Sequence, residues 1–108
     1  MYEQITIEEF QNDFVNNVDA DFVLVDVREE DEFAAGHLPG AVNIPLSEFQ
    51  FRTDEVDEDK AIVLVCRTSN RSEMATQMLA ANGYDNLYHL LEGTLGWMKR
   101  GLPLEIPE

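Results

Sequence analysis

Cys66, the only cysteine in the chain, is followed within five positions by two arginines, Arg67 and Arg71. A thiolate is a strong sulfur nucleophile, and nearby positive charge favours the thiolate over the thiol. The chain has only seven Lys and Arg residues and a formal net charge of -15, so this local concentration of arginine is distinctive. Free cysteines are often simple core residues, but these neighbours favour an activated sulfur nucleophile beside an anion-binding group.

The segments on either side of Cys66 predict how it is positioned. Residues 61–65 form a short apolar run that is typical of a buried parallel strand. Beyond the cysteine, apolar residues recur at helical spacing as far as Gly83, where a helix C-terminus is expected. Open α/β sheets bind ligands at the carboxyl ends of their strands, and backbone N–H groups and a helix dipole attract anions there. We expect residues 66–72 to form an anion-binding loop.

The rest of the chain alternates between strand and helix patterns. Residues 6–9 have the form of a helix capping box, and further helices are expected at 29–36 and 46–51. Strands are expected at 22–25, 41–44 and 86–91, and residues 53–59 read as a solvated acidic connector. Alternating strands and helices predict an α/β fold with a parallel sheet covered by helices on both faces.

Three other groups of polar residues have structural interpretations. Four adjacent carboxylates, at positions 29–32, suit the first turn of a helix, and neighbours on a helix splay apart rather than converge on a metal ion. We therefore expect no metal site. His37 is expected to anchor a turn through a backbone hydrogen bond, and His89 to fill or flank the sheet. Asp26 and Arg28, which end a strand, are expected to pair with each other.

Several of these segments resemble the rhodanese-like (sulfurtransferase) family. The cysteine, four intervening residues and Arg-Ser of residues 66–72 look like its active-site loop. Residues 36–45, Gly-His-Leu-Pro-Gly-Ala-Val-Asn-Ile-Pro, match another signature almost residue for residue. Asp26-Val27-Arg28 and the Gly-Thr-Leu-Gly-Trp of residues 93–97 agree as well. The resemblance covers nearly the whole chain and implies one rhodanese-like domain, residues 1–108, with a five-stranded, mainly parallel sheet.

The resemblance also implies a thiosulfate sulfurtransferase (rhodanese) activity. Cys66 would attack the outer sulfur of a small anionic donor such as thiosulfate and become a persulfide, and a thiophilic acceptor would then remove the sulfur. Arg71 matches the recurrent arginine of the family and would act with Cys66 in catalysis. Asp26 and Arg28 would support the structure next to the loop. No cofactor or metal is implied. The remaining residues implied to bind the substrate are Arg67, Thr68, Ser69, Asn70 and Ser72.

Two positions depart from the family pattern. Ser69 and Glu92 stand where glycine is usual. If Ser69 needs a positive φ, its side chain would cost roughly 1 kcal/mol and distort the loop. The sequence alone does not determine whether either departure reduces activity.

Two other functions are compatible with these residues. Phosphatases and arsenate reductases with a related loop have five residues between cysteine and arginine where this chain has four, and a shorter loop leaves less room for a tetrahedral oxyanion. A non-catalytic binding or regulatory module with the same fold is the other alternative. Retention of Cys66 favours the enzyme.

Composition limits the setting in which the protein works. A chain of 108 residues suits one domain, and no internal repeat is visible. The acidic balance argues against nucleic acid and anionic membrane surfaces as partners. One cysteine, no basic and apolar leader and no long apolar run predict a cytoplasmic protein. With no second cysteine to resolve a persulfide, the acceptor must be an external thiol or cyanide. The physiological donor, the pathway and the oligomeric state are left open.

Overall fold

The computed structural model describes residues 2–107, and its centre is a parallel sheet of five strands. In chain order the strands are β1 Glu3–Ile5, β2 Phe22–Asp26, β3 Val42–Asn43, β4 Ala61–Val65 and β5 Leu87–Leu90. In the sheet they lie in the order β1-β5-β4-β2-β3. All four strand pairings are parallel. This arrangement confirms the predicted α/β class and five-stranded sheet.

Helices connect the strands and cover both faces of the sheet. The first begins with the predicted capping box, in which Thr6 Oγ1 accepts from Glu9 N and the Glu9 carboxylate accepts from Thr6 N. It continues as a π-helical turn over Gln11–Val15. A short 3-10 turn, Thr53–Glu55, lies in the acidic connector. The α-helices are α1 Ile7–Phe10, α2 Glu30–Ala35, α3 Leu46–Phe49, α4 Asn70–Ala81 and α5 Gly93–Lys99.

Alternation along β4 separates the core into two layers. Ile62 and Leu64 point to the layer that also holds Phe49 of α3 and Leu79 of α4. Cys66 continues this alternation and is buried in the same layer. Because successive side chains of a strand point to opposite faces, the intervening residues of β4 must face the other helices.

The opposite layer contains Val63 and Val65 with residues of α1 and α5. Phe10 and Trp97 meet there edge to face, with ring centroids 6.1 Å apart. Trp97 also donates from Nε1 to the Pro103 carbonyl, at 2.7 Å. This layer therefore holds α5 against the sheet.

Register brings three strand ends together. Asp26, at the end of β2, pairs with Val65, at the end of β4. On the other side, His89 of β5 pairs with Leu64. The carboxyl ends of these central strands therefore surround the loop that begins at Cys66.

Some differences from the sequence prediction lie at element ends, and β1 and α5 are elements that the residue patterns did not individually predict. Strand β3 contains two residues rather than four, and α3 ends at Phe49 rather than at residue 51. The Asn43 amide donates to the carbonyls of Asp26 and Arg28, at 2.9 Å each, so the edge of the sheet is held partly by a side chain. No helix within residues 2–107 is long and apolar enough to cross a membrane.

Candidate active site

Cys66 occupies the floor of a loop between β4 and α4. The residue is buried, with only 1% of its surface exposed. Ser72, in the first turn of α4, places its Oγ 3.3 Å from Cys66 Sγ. A hydroxyl that donates to sulfur stabilises the thiolate over the thiol.

The carbonyl groups of the loop face α5. Thr94 N donates to the Cys66 carbonyl at 2.9 Å, and Leu95 N donates to the Arg67 carbonyl at 3.0 Å. A Cβ at Gly93 would lie 2.3 to 2.6 Å from the carbonyl oxygens of Cys66, Arg67 and Thr68. Only glycine allows this close approach, so Gly93 and the N-terminal N–H groups of α5 fix the direction of the loop peptides.

The loop N–H groups are left available as donors. Within the part of the chain that the structure describes, the backbone N–H groups of residues 67–72 make no hydrogen bond. Three of the corresponding carbonyls are already turned toward α5, and the N–H and C=O of a trans peptide point in opposite directions. The N-terminus of α4, a helix of 12 residues, adds its positive potential. The loop can therefore bind an anion next to Cys66.

The two arginines of the loop are in different environments. Arg71 makes a bidentate pair with Glu32 of α2, with distances of 2.6 Å and 3.0 Å. Arg71 holds the pKa of Glu32 down at about 2, and the nearby Cys66 and Asp26 charges add to the rise in the pKa of Arg71 that Glu32 causes. Arg67 is exposed, and its side chain has no ion pair or hydrogen bond among residues 2–107.

A buried ion pair supports the helix that carries Glu32. Arg28 donates from Nη2 to Asp26 Oδ2 at 2.8 Å, and Asp26 is fully buried. Arg28 also donates to the carbonyl of Gly36, at 2.7 Å, where α2 ends. The predicted pairing of Asp26 with Arg28 is therefore present, and it ties the end of β2 to the end of α2.

The other predicted substrate-binding residues also lie on this loop. Thr68 and Asn70 are exposed, Ser69 is half-buried and Ser72 is fully buried. Within residues 2–107, no group of three His, Cys, Asp or Glu side chains is arranged to hold a metal ion.

His89 is the residue beside this site that the sequence interpretation did not assign to it. It is 1% exposed, and its Nε2 lies 2.8 Å from Ser72 Oγ and 3.0 Å from the Ser69 carbonyl. A histidine within an apolar strand was the available signal, but only the register of β5 on β4 reveals the contact. His37, by contrast, stacks on Phe33 and contacts its carbonyl at 3.1 Å, as expected for a turn anchor.

A family profile matches the chain across this fold. The profile of the rhodanese-like domain covers residues 7–100. The chain belongs to the rhodanese-like domain family.

Three related proteins show how similar this rhodanese-like domain is to individual members of the family. It is 35% identical over 88 residues to a sulfurtransferase of Allochromatium vinosum, covering 82% of each protein. It is 46% identical over 74 residues to the uncharacterized protein YqhL of Bacillus subtilis, covering 68% of this chain but only 59% of that protein. It is 32% identical over 83 residues to the thiosulfate sulfurtransferase GlpE of Actinobacillus succinogenes, covering 77% and 75% respectively.

Solved structures agree with the architecture. A rhodanese-related protein from Thermoplasma volcanium superposes with a TM-score of 0.86 at 25% identity, covering 98% of this chain and 100% of that one. The similarity therefore extends over almost the whole chain.

The two departures from the family's glycines have different outcomes. Ser69 has φ of -148°, so the conditional expectation of left-handed strain at this position is wrong. Glu92 has φ of 69° and is the only non-glycine residue with positive φ among those described. Its carboxylate accepts from Arg100 Nη2 at 3.0 Å, which partly offsets the cost of that conformation.

Proposed function

We propose that this rhodanese-like domain is a sulfurtransferase that carries a sulfane sulfur as a Cys66 persulfide. The observation that carries the proposal is the position of Cys66, buried beneath loop N–H groups that have no partner among the described residues and beside the Ser72 hydroxyl. Such a loop stabilises negative charge on sulfur before and after transfer. The relatives named as sulfurtransferases support this class of reaction.

Thiosulfate or a related small anionic donor suits the loop. The Cys66 thiolate attacks the outer sulfur of thiosulfate, a bond forms between the two sulfurs, and the bond to the sulfonate sulfur breaks. Sulfite leaves with the electron pair, and Cys66 retains the outer sulfur as a persulfide anion. Arg67, whose side chain is exposed and unpaired among the described residues, meets the sulfonate oxygens on arrival.

Arg71 is the second donor-binding cation in this proposal. Its guanidinium reaches the sulfonate by exchanging the Glu32 carboxylate for an anion of higher charge. Leaving sulfite gains charge in the transition state, so a cation at this point accelerates the step. Catalysis is assigned to Cys66 and Arg71, and donor binding to Arg67 with the loop residues Thr68, Ser69, Asn70 and Ser72.

The second half-reaction requires an acceptor from outside the chain. Cys66 is the only cysteine, so no internal thiol can remove the sulfur. A small thiol, a protein thiol or cyanide attacks the outer sulfur, and the electron pair of the broken bond returns to Cys66. Because Cys66 must remain a thiol between turnovers, a reducing compartment such as the cytoplasm is the proposed location.

Intact mass spectrometry tests the proposal. After incubation with thiosulfate and removal of excess donor, the protein mass should rise by one sulfur atom, and cyanide should reverse the gain while releasing thiocyanate. Cys66→Ser is the control and should gain nothing. Absence of the adduct on the unaltered chain would favour a binding module, and hydrolysis of p-nitrophenyl phosphate instead would favour the phosphatase class.

A further inference from the structure

His89, Ser72 and Cys66 form a continuous chain of contacts that links β5 to the reactive sulfur. His89 Nε2 lies 2.8 Å from Ser72 Oγ, and Ser72 Oγ lies 3.3 Å from Cys66 Sγ. All three residues are at most 1% exposed. Water therefore has little access to these contacts, and the direction of each hydrogen bond is set by the protein.

The position of the proton on His89 is determined by its second contact. Nε2 is also 3.0 Å from the Ser69 carbonyl, which can only accept a hydrogen bond. The ring proton is therefore on Nε2, and Nδ1 carries the lone pair. Nδ1 is buried and has no hydrogen-bond partner among the described residues. Burial lowers the pKa of His89, despite the opposing effects of the Ser69 carbonyl and the Glu73 charge, so the ring is neutral at neutral pH.

With the proton on Nε2, His89 cannot act as a base toward Ser72, but it can orient the Ser72 hydroxyl. The nitrogen that faces Ser72 already holds a proton, so it cannot accept the Cys66 proton through the hydroxyl. Ser72 has one proton to donate and two acceptors within reach, Cys66 Sγ at 3.3 Å and the Ser69 carbonyl at 3.2 Å. The single Nε2–H of His89 is shared between that carbonyl and Ser72 Oγ, which leaves the hydroxyl proton for sulfur.

We propose that His89 is a positioning residue that directs the Ser72 hydroxyl proton onto Cys66 Sγ and thereby stabilises the thiolate. The effect operates in the free protein. The same hydrogen bond would also act during the proposed sulfur transfer, when an acceptor takes the outer sulfur and Cys66 leaves as a thiolate. Only this second effect rests on the proposed function. A buried nitrogen without a partner lowers stability, and an apolar side chain at this position would avoid that loss.

Other charges surround the sulfur and are left unchanged by the test. The charges of Glu32 and Asp26 act on Arg71, and the charge of Glu73 in α4 acts on His89. Asp26 is itself paired with Arg28. Variants of His89 and Ser72 alter none of these charges. A change in the thiolate fraction can then be assigned to the hydrogen bonds themselves.

The experiment measures the thiolate fraction of Cys66 from the pH dependence of iodoacetamide alkylation, followed by intact mass, without any sulfur donor. Ser72→Ala should lower the alkylation rate at pH 6 by roughly tenfold or more, because a hydrogen bond to a charged sulfur is lost. His89→Leu should lower it several-fold, with unchanged or raised Tm. The double variant should match Ser72→Ala alone, because His89 acts through the hydroxyl.

Two further variants keep the proposal falsifiable if His89→Leu does not fold. His89→Gln keeps an amide donor near the position of Nε2 and should restore most of the reactivity. His89→Asn is too short to reach Ser72 and should behave as the leucine variant does. His37→Leu is the matched control at the other buried histidine and should leave the pH profile unchanged.

The proposal is overturned if Ser72→Ala shifts the profile while His89→Leu and His89→Asn do not. It is equally overturned if the effects of His89 and Ser72 are additive, since the two residues would then act independently. Neither outcome depends on sulfur transfer. If the variants shift the alkylation profile as expected but the unaltered chain forms no persulfide with thiosulfate, only the proposed function is contradicted.

Discussion

Glu32 binds Arg71 in a bidentate pair, at 2.6 Å and 3.0 Å, across 39 positions of the sequence. The pair joins α2 to the first turn of α4, and both side chains are about one third exposed. An arginine that the sequence assigns to an anionic donor is therefore already occupied by an anion of the protein. In the proposed reaction, donor binding at Arg71 competes with Glu32, and this competition can be measured.

Glu32→Gln should raise kcat/KM for thiosulfate by about three- to tenfold, because a neutral amide competes less well for the guanidinium. Gln still supports the cap at Glu29 N, so α2 should remain formed. Glu55→Gln is the matched control, since Glu55 pairs with Arg52 at 2.7 Å and the same charge is removed. Steady-state kinetics with cyanide as acceptor make the comparison. An equal rise in both variants would mean that only net charge matters.

Arg71→Ala should lower kcat/KM for thiosulfate by at least ~100-fold, because one charge-assisted contact in the transition state is lost. Arg71→Lys should recover only part, because an ammonium cannot bind a sulfonate bidentately. Stopped-flow measurement of the sulfite-releasing step separates this effect from acceptor binding. Near-normal kinetics in Arg71→Ala would assign Arg71 to α2 packing and leave Arg67 as the donor-binding cation.

The Glu32 carboxyl also links stability to pH. Arg71 lowers its pKa from 4.5 to about 2, so the paired carboxylate contributes stability that is present above about pH 4.5 and is lost as the pH falls toward 2. Because the pair is partly exposed, we expect a contribution of about 1 kcal/mol. Urea unfolding of the original chain and of Glu32→Gln should differ by this amount at pH 7 and converge near pH 2. A constant difference across this range would contradict the assignment.

Gly93→Ala should disrupt the loop. Its Cβ would meet three backbone carbonyls at 2.3 to 2.6 Å, and backbone cannot move aside as a flexible side chain can. We expect a loss of stability of about 2 to 4 kcal/mol, with loss of persulfide formation. Gly101→Ala is the control, because its φ of 71° is similarly unfavourable but nothing lies within 4 Å. If both variants lose the same stability, the close approach to the loop has no energetic consequence.

Glycine at the two positions of departure should have opposite effects. Glu92→Gly removes left-handed strain at φ of 69° and should raise stability by a few tenths to about 1 kcal/mol, after loss of an exposed ion pair. Ser69→Gly relieves no left-handed strain at φ of -148° and should lower stability by about 0.5 to 1 kcal/mol, because glycine has more freedom in the unfolded chain. Thermal unfolding of both variants is the check. A stabilising Ser69→Gly would show that the loop conformation differs in solution.

The sequence predicted the fold well because its strongest patterns are local. The apolar run of β4, the capping box at Thr6 and the glycine after α4 each depend on neighbours a few residues away. Contacts that depend on register could not be predicted. Glu32 meets Arg71, and His89 meets Ser72, only because β2, β4 and β5 pair in one particular alignment.

The backbone conformation of single residues could not be predicted from the sequence either. Both Ser69 and Glu92 stand where glycine is usual, yet only Glu92 adopts the left-handed conformation. The difference lies in the path of the chain after each residue. Ser69 precedes α4 directly and keeps a negative φ, whereas the chain turns through a positive φ at Glu92 to bring Gly93 beneath the loop carbonyls.

The hydrogen bonds from Thr94 and Leu95 to the loop carbonyls have a consequence for biosynthesis. Residues 66–72 leave the ribosome before residues 93–99 are free to fold, so the loop emerges before the segment that orients it can dock. Strand β1 likewise cannot pair until β5 is available, because β5 is the strand that it pairs with among the described residues. We therefore expect the loop around Cys66 to reach its final conformation only when α5 docks, late in the folding of the chain.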